Sequence, residues 1–545
     1  MTIETLFLSR EASLVRKALG RVALHASRFT VVAVMVGLNF QLDLSSAAGP
    51  GLADRVIEHR LANGLTVLMV ERHQTPIVSI NMTFAVGGVN EQVGQTGLAH
   101  LYEHMAFKGT RTVGTKDYGK EQPILQELYR VGTELEERQR DATRRNGDGA
   151  LPDAEAASID KLQKRFKELQ DQAAQYVAGN EMAMLYQRHG GIGLNAATGK
   201  DLTRYIINLP SNRLPLWAAI EADRMANPVL REFYKERGVV MEERRLRNDD
   251  SPTGLLFETF TSAAFRAHPY GVPTIGWESD ILSLTPAATE AFFKTYYGPG
   301  RATIGIVGDI NPKEVIELIE NTFGKIPASP PPPQIVTVEP VQRGERRVEV
   351  EFDAEPQVVI GFHKPGLGHP DDYVFDVIDE ILTDGLTSRL YTTLVRDARL
   401  AASVNSDANY PGVRAPNLFL IHATPLAPHT TAEVEAAILT ELERLKTEPV
   451  SRKELERVVN NLDADLVRAL RSNSGLASQL ALYQTVAGDW RYVLKSRDKV
   501  AAVTPADIQR VAAQYFTKSN RTVATLVKKP GDKQVANVPL REVAR

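Results

Sequence analysis

Apolar residues form short runs at several places along the chain, and these runs predict buried β-strands. Two of them lie near the start, at 65–70 and 78–84, and a third is Val358-Val359-Ile360-Gly361-Phe362. Short, nearly continuous apolar runs rich in Val and Ile are typical of strands inside a sheet. A helical pattern begins after the third run, from Asp371 to Ile381.

An internal repeat predicts two related domains. Thr285-Pro286-Ala287 leads through a helical stretch to the run 301–307, and Thr504-Pro505-Ala506 leads in the same way to the run 521–527. Each unit is typical of a Thr-capped helix with Pro in its first turn, followed by a strand. A repeat of this kind indicates that each unit closes one domain. The proline run 330–333 between the units predicts a stiff linker.

The predicted fold class is α+β. It consists of two homologous α/β domains, each a mainly antiparallel sheet with helices packed on one face, joined by a Pro-rich linker. The predicted boundaries are 1–48 for a signal peptide, 52–328 for the first domain, 329–340 for the linker, 341–530 for the second domain and 531–545 for a tail.

Composition excludes several classes of function. The chain has 545 residues, 43% of them hydrophobic, and a formal net charge of -3. Because no basic stripe with interleaved aromatic residues occurs, nucleic acid is not an expected partner. Cysteine is absent from the sequence, so neither a disulfide framework nor a thiolate site is available. Dinucleotide and P-loop fingerprints are missing as well.

The first 48 residues are not typical of a globular domain. Basic residues precede the apolar run Phe29 to Phe40, and the small residues Ser46-Ala47-Ala48 follow it. This order predicts a secretory signal peptide, and hence a periplasmic or secreted protein. The apolar run is too short to serve as a stable membrane anchor. An organelle transit peptide is the alternative, because the region is rich in Arg and poor in acidic residues.

The segment His100-Leu101-Tyr102-Glu103-His104 predicts a catalytic metal site. In a helix, two histidines four residues apart project from one face. Two such imidazoles can bind one Zn²⁺ at about 2.0–2.1 Å each. Glu103 lies beside His104 and can take a proton from a metal-bound water. The order H-x-x-E-H marks the inverzincins.

A catalytic zinc site needs a third protein ligand and one open position. Glu236 and Glu243 are seven residues apart in a charged segment, so a helix would place them on one face. Glu243 could complete a His₂Glu site while Glu236 supports a ligand histidine. A charged helix is usually only a solvated surface, so the spacing by itself leaves both interpretations open.

These residues resemble the pitrilysin/insulinase family of zinc peptidases, and most of all its shorter, processing-peptidase-like bacterial members with two domains. The segment 97–110 is similar to the family's G-x-x-H-x-x-E-H-x-x-F-K-G-T, and 195–198 to its N-A-x-T strand. The segment 236–243 is similar to the family's E-R-x-x-x-x-x-E block. The roles that the resemblance implies are zinc ligation by His100, His104 and Glu243, general base catalysis by Glu103, support by Glu236, and alignment of substrate along Asn195 and Ala196.

Two features depart from the family pattern. Relatives with a complete site present an Arg and, seven residues later, a Tyr that hold the substrate carbonyl; here Arg396 is present, but Ser403 stands in place of the Tyr. The chain also carries an extra charged block from about 120 to 177, in which two helical patterns flank a Gly- and Pro-containing break. This block predicts an inserted helical hairpin, which either only packs on the domain or borders the substrate entrance or a partner.

The family resemblance implies a secreted zinc endopeptidase with one Zn²⁺ per chain, acting on peptides or unfolded protein segments. Family members enclose substrate between two two-domain halves, so a second subunit is expected. Because Ser403 replaces the Tyr, a homologous subunit that supplies the Arg/Tyr pair is favoured, with a homodimer as the other option. The alternative function is a catalytically silent scaffolding subunit. Such chains typically lose zinc-site residues, and this chain keeps them all.

Overall fold

The computed structural model describes residues 51–146 and 151–528. The predicted signal peptide at 1–48 and the predicted tail at 531–545 lie outside the described residues. Within the described ranges, no helix combines the length and the apolar character that crossing a membrane requires.

The first sheet has six strands in the spatial order β1-β2-β6-β3-β5-β4. β2 and β6 are parallel, and every other neighbouring pair is antiparallel. β4 is therefore an edge strand, paired only with β5. The strands are β1 (Ile57–Arg60), β2 (Thr66–Glu71), β3 (Ile77–Phe84), β4 (Ile192–Thr198), β5 (Thr203–Pro210) and β6 (Ala302–Gly308).

The second sheet repeats this topology. Its order, β7-β11-β8-β10-β9, corresponds strand for strand to β2-β6-β3-β5-β4, and its parallel pair, β7 with β11, corresponds to the parallel pair β2 with β6. The strands are β7 (Arg346–Phe352), β8 (Gln357–Lys364), β9 (Ala401–Tyr410), β10 (Asn417–Pro425) and β11 (Arg521–Lys528). The repeat read from the sequence is thus visible in the topology, and the predicted fold class is confirmed.

Seventeen helices can be numbered along the described residues, α1 to α17. Those before the linker are α1 (Leu52–Arg55), α2 (Leu98–Met105), α3 (Tyr118–Asn146), α4 (Asp153–Ala174), α5 (Glu181–Arg188), α6 (Leu214–Ala226), α7 (Phe233–Arg244), α8 (Pro252–Ala264), α9 (Glu278–Ser283), α10 (Pro286–Tyr296) and α11 (Pro312–Thr322). Those after it are α12 (Pro370–Thr383), α13 (Thr431–Thr447), α14 (Arg452–Arg471), α15 (Asn473–Ala487), α16 (Tyr492–Ala501) and α17 (Pro505–Tyr515).

The charged block in the first domain consists of α3 and α4, which pack against each other through Leu125, Leu128 and Leu169. A fully buried ion pair ties this block to the rest of the domain. The Arg231 Nε donates to both Glu121 carboxylate oxygens, at 2.7 and 2.9 Å. A buried pair of this geometry is costly to break, so α3 has a fixed position beside α7.

Each sheet has a large core on one face, and its other face is covered by a helix from the opposite half of the chain. α15, which follows the linker, packs on β3 and β6 of the first sheet, while α8, which precedes the linker, packs on β7 and β11 of the second. The approach of α15 is close: a Cβ at Gly305 would lie 2.4 Å from the Ala477 carbonyl oxygen. The sequence did not predict that each half of the chain supplies a helix to the sheet of the other half. This crossing of α8 and α15 makes the two domains one structural unit.

Candidate metal centre

The H-x-x-E-H motif forms α2, which begins after Gly97, a residue with φ of 89°. Leu98, Leu101 and Met105 bury one face of α2 in the core of the first domain. The two histidines and Glu103 therefore lie along the other side, as the helical spacing predicts. The His100 and His104 rings are 4.9 Å apart between centroids.

α7 crosses beside α2 and brings its two carboxylates to these histidines. Glu243 Oε1 is 3.6 Å from His100 Nε2, and Glu243 Oε2 is 3.4 Å from His104 Nε2. Glu236 Oε2 lies 3.5 Å from the other nitrogen of His104, Nδ1. The spacing of seven residues places both carboxylates on one face of α7, each against a different atom of the same ring.

His100, His104 and Glu243 have the geometry of a metal site. Their donor atoms all lie within 4.8 Å of one another. Ligands at about 2.0–2.1 Å in a tetrahedral arrangement are separated by roughly 3.3–3.4 Å, close to the 3.4 and 3.6 Å found here. Among the residues that the structure describes, this is the one group of His, Cys, Asp and Glu side chains close enough to hold an ion. The donor set, two imidazoles and a carboxylate, suits Zn²⁺.

The protonation of the three donors follows from burial and from each other's charge. Burial lowers the pKa of His100 to about 4, so this imidazole is neutral at pH 7. Burial also acts to lower the pKa of His104, but hydrogen bonds with Glu236 and Glu243 outweigh it and raise the pKa to about 9. For Glu243, burial is outweighed by His104, His100 and Arg247, and the pKa falls to about 2.

Two basic side chains hold the carboxylates of α7 in place. Lys108 Nζ is 2.5 Å from Glu236 Oε1, and Arg247 Nη1 is 2.5 Å from Glu243 Oε1. Neither contact was predicted from the sequence. Lys108 belongs to the segment 97–110 that resembles the family, whereas the role of Arg247 had no signal in the sequence.

Glu103 faces the edge strand β4. The Thr198 hydroxyl donates a hydrogen bond of 2.5 Å to Glu103 Oε2. Burial raises the pKa of Glu103 above its ordinary value, and the hydrogen bond from Thr198 partly offsets this. A carboxylate with a raised pKa is a stronger base. Thr198 was quoted in the N-A-x-T segment but not predicted as a site residue, although that segment was the signal for it.

A cleft of about 350 Å³ opens beside Glu103 and His104. Asn195 and Ala196 of β4 form part of its wall, and the segment 177–182, which follows α4, forms another part. The inserted block thus leads directly into the border of the cleft. β4 lies at the sheet edge next to α2, so the predicted substrate strand and the metal donors share one site.

Arg396 is not part of this cluster of residues. It lies in a π-helical segment, Tyr391–Asp397, where its side chain is exposed and its Nε is 2.6 Å from the carboxylate of its neighbour Asp397. Ser403 lies in β9, the edge strand of the second sheet, and is exposed. Contact of Arg396 with a substrate carbonyl stays a prediction.

Two domains of equal topology, one with the H-x-x-E-H helix and a third carboxylate donor, define a fold of the zinc-peptidase class. The family model for the insulinase peptidases, family M16, matches residues 66–134 and 170–277, and the model for the M16 inactive domain matches 283–462. The chain belongs to this family. The unmatched stretch 135–169 lies within the α3–α4 block.

Relatives support the same family. Zinc protease PqqE of Helicobacter pylori is 28% identical over 476 residues, which cover 86% of this chain and 91% of that protein. An uncharacterized zinc protease of Mycobacterium bovis is 27% identical over 478 residues, covering 87% and 93%. The crystal structure of a protease from Helicobacter pylori has a TM-score of 0.71 at 27% identity and covers 87% of this chain and 99% of that chain.

Proposed function

We propose that this chain is a zinc-dependent endopeptidase that hydrolyses peptides or unfolded protein segments, with Glu103 as the general base. The observation that carries the proposal is that the three donors, His100, His104 and Glu243, lie together beside Glu103 at the edge strand β4. Donors, base and a peptide-binding edge are the parts that peptide hydrolysis requires at one place.

His100, His104 and Glu243 would hold the zinc ion, which supplies Lewis acidity and lowers the pKa of a bound water to about 7. Glu103 takes the proton from the attacking water and passes it to the leaving amine. Glu236 orients the His104 ring through Nδ1, and Lys108 holds Glu236 in turn. A partner of this kind fixes the direction of the ligand ring.

The substrate would bind as an added strand along the free edge of β4. Main-chain groups at a sheet edge pair with an extended peptide whatever its sequence, which suits unfolded segments as substrates. Asn195 and Ala196 lie in this strand beside the cleft, where one substrate side chain would enter.

We further propose that the protein is exported, because of the signal-like segment at 1–48. We also propose that a second subunit packs against this chain and encloses the substrate between the two. Arg396 is exposed and is bound to its neighbour Asp397, and Ser403 is too short to replace a phenol. A homologous subunit that carries an Arg/Tyr pair, or a second copy of this chain, would complete the site.

The second candidate is a catalytically silent scaffolding subunit. The observations that favour it are Ser403 in place of the Tyr and the match of 283–462 to an inactive-domain model. That match begins after Glu243, the last of the metal donors, and the donors are all present, so we prefer the peptidase.

The test is peptide cleavage by the purified chain without its first 48 residues, read by mass spectrometry together with zinc content. Glu103→Gln should keep one zinc and lose cleavage. Glu242→Gln is the matched control, since Glu242 is the exposed neighbour of Glu243 and, among the described residues, its ion pair is with Arg245. Bound zinc without cleavage would indicate that a partner subunit is needed. Neither zinc nor cleavage would overturn the peptidase proposal in favour of the scaffold.

A further inference from the structure

The turn between β4 and β5 is buried although it carries two charged residues. Lys200 is 4% exposed and Asp201 is 6% exposed. Turns normally lie at the surface with solvated charges, and buried charges persist only where partners hold them. This turn begins directly after Thr198, the residue that donates to Glu103.

On one side, Asp201 fastens the turn to the second domain. Its carboxylate accepts hydrogen bonds from the backbone amides of Val413 and Arg414, at 2.7 and 3.2 Å, in the loop between β9 and β10. The Tyr270 hydroxyl donates to the same carboxylate at 2.8 Å and accepts from the Ala415 amide at 3.1 Å. Gly412 approaches so closely that a Cβ there would lie 2.7 Å from both Asp201 Oδ2 and the Tyr270 hydroxyl.

Tyr270 belongs to the motif His268-Pro269-Tyr270-Gly271, which the proposed chemistry does not use. The motif is itself held in place. The linker residue Glu339 accepts hydrogen bonds from the backbone amides of three consecutive residues, Arg266, Ala267 and His268. The buried Tyr270 hydroxyl therefore joins Asp201 of the first domain to Ala415 of the second, while the linker holds the backbone just before Tyr270.

On the other side, Lys200 joins the turn to the segment before α2. The backbone amides of Gly88 and Val89 donate to the Gly199 and Lys200 carbonyls, each at 3.0 Å. Burial lowers the pKa of the Lys200 ammonium to about 8, while the charges of Glu91 and Asp201 act in the opposite direction. Lys200 also donates to the Val272 carbonyl, two residues beyond Tyr270.

Glu91 in turn holds the start of the metal-binding helix. Its two carboxylate oxygens accept from the backbone amides of Gly97 and Ala99, at 2.9 and 2.7 Å. A carboxylate on the free amides at a helix N-terminus stabilises and orients the helix. Hydrogen bonds therefore join the second domain through Asp201 to the turn, and the turn to the segment 88–89 before α2 and, through Thr198, to Glu103.

We propose that Asp201 and Tyr270 are positioning residues for the hydrolytic site. They fasten the β4–β5 turn to the second domain, and the turn then holds Thr198 against Glu103 and binds the segment 88–89 before α2 through its backbone carbonyls. The second domain, which carries no metal donor among the described residues, thereby sets the position of the general base. The expected effect on hydrolysis rests on the proposed function.

The test compares Tyr270→Phe with Tyr410→Phe in the purified chain without its first 48 residues. Both variants lose a single hydroxyl at the contact between the two halves. The Tyr410 hydroxyl, however, lies 2.8 Å from that of Thr261 on α8 and does not touch the turn. Hydrogen exchange is followed by mass spectrometry over 196–203 and 98–105, and kcat and KM are measured separately.

We expect Tyr270→Phe to raise exchange in both segments, while Tyr410→Phe leaves them unchanged. We also expect kcat to fall by about 10- to 100-fold in Tyr270→Phe, as a small misplacement of a catalytic group does, with KM within about twofold because the base acts on the transition state. Asp201→Asn should act in the same direction.

Equal exchange at 196–203 and 98–105 in the two variants would overturn the positioning role, whether or not peptides are cleaved. If the unaltered chain neither binds zinc nor cleaves peptides, the proposed function fails, and the hydrogen-exchange comparison still decides the coupling. If exchange rises in Tyr270→Phe but kcat matches that of an active unaltered chain, the turn is only structural and the proposal is overturned.

Discussion

The hydroxyl of Thr198 lies 2.5 Å from Oε2 of Glu103 and donates a hydrogen bond to it. This contact joins the last residue of the edge strand β4 to the carboxylate between the two histidines of α2. The strand proposed to bind substrate and the proposed general base are therefore fixed to each other, so a peptide aligned on β4 has a defined position relative to Glu103.

Replacing Thr198 by Val, which has nearly the same shape, should remove the donor and leave Glu103 free to rotate. We expect kcat to fall by about tenfold or more, with zinc content unchanged because Thr198 is not a donor to the ion. Thr198→Ser keeps the hydroxyl and should retain most of the activity. Steady-state kinetics with one peptide and a metal assay check both points; equal rates for Val and Ser would mean that the hydrogen bond has no catalytic role.

Glu236 should affect how tightly zinc binds without being a ligand. It faces Nδ1 of His104 and is held by Lys108, and the loss of such a partner typically costs about 10–100-fold in metal affinity or activity. We expect Glu236→Gln to weaken zinc binding by that factor in a competition titration with a chromophoric chelator.

Glu232→Gln is the control for that experiment. Glu232 also contacts Lys108, at 3.3 Å, but forms no ion pair with His104. Its replacement should leave the zinc affinity within about twofold. If both variants weaken zinc binding equally, the net charge near the site matters rather than the contact with the ring.

Acid should weaken the packing of α8 on the second sheet, because protonation of His422 is unfavourable in the folded protein. Burial lowers the pKa of this imidazole to about 4, and the ring lies against Phe257 of α8 and beside Gln357. Between pH 6.5 and 4 the unfolded chain binds a proton that the folded protein does not, so stability falls as the pH falls. The loss from this group amounts to at most about 3 kcal/mol.

Urea unfolding at pH 7 and pH 5 measures this effect. The variant His422→Gln keeps a polar side chain without a titrating ring, so its free energy of unfolding should change less between the two pH values than that of the unaltered chain. An identical pH dependence in both would show that His422 titrates normally in the folded protein.

The packing of α15 on the first sheet should be weakened by one added methyl group on β6. A Cβ at Gly305 would lie 2.4 Å from the Ala477 carbonyl oxygen, so Gly305→Ala must push α15 away from the sheet. Overpacking of this kind costs about 1–3 kcal/mol. Gly344→Ala, where a Cβ meets open space, is the control, and thermal unfolding of both variants checks whether α15 is packed as closely as described.

Local patterns in the sequence predicted the fold class and the pairing of the two histidines on α2. Strands at 65–70, 78–84 and 358–362 were predicted within one or two residues of β2, β3 and β8, because buried strands leave apolar runs. The histidines of α2 are brought together by helix periodicity alone, and the match to the H-x-x-E-H family then pointed to Glu243.

Other parts of the site depend on contacts between distant segments. Thr198 donates a hydrogen bond to Glu103, and Arg247 forms an ion pair with Glu243. Asp201 binds Tyr270 and the 412–415 loop. All of these contacts depend on where strands, helices and loops meet. Arg396 shows that a position in the sequence does not fix a contact. Its sequence position suggested a role at the site, but its described partner is its neighbour Asp397.

The sequence by itself determined two related domains and the pair of histidines able to bind a metal, because strand burial, helix periodicity and the spacing of His100 and His104 are local properties of the chain. Only the tertiary structure decided that α8 and α15 cross to the opposite sheets and that a buried turn links the second domain to α2, the helix of the two histidines. These features arise from packing between segments far apart in the chain, where local periodicity carries no information about the partner.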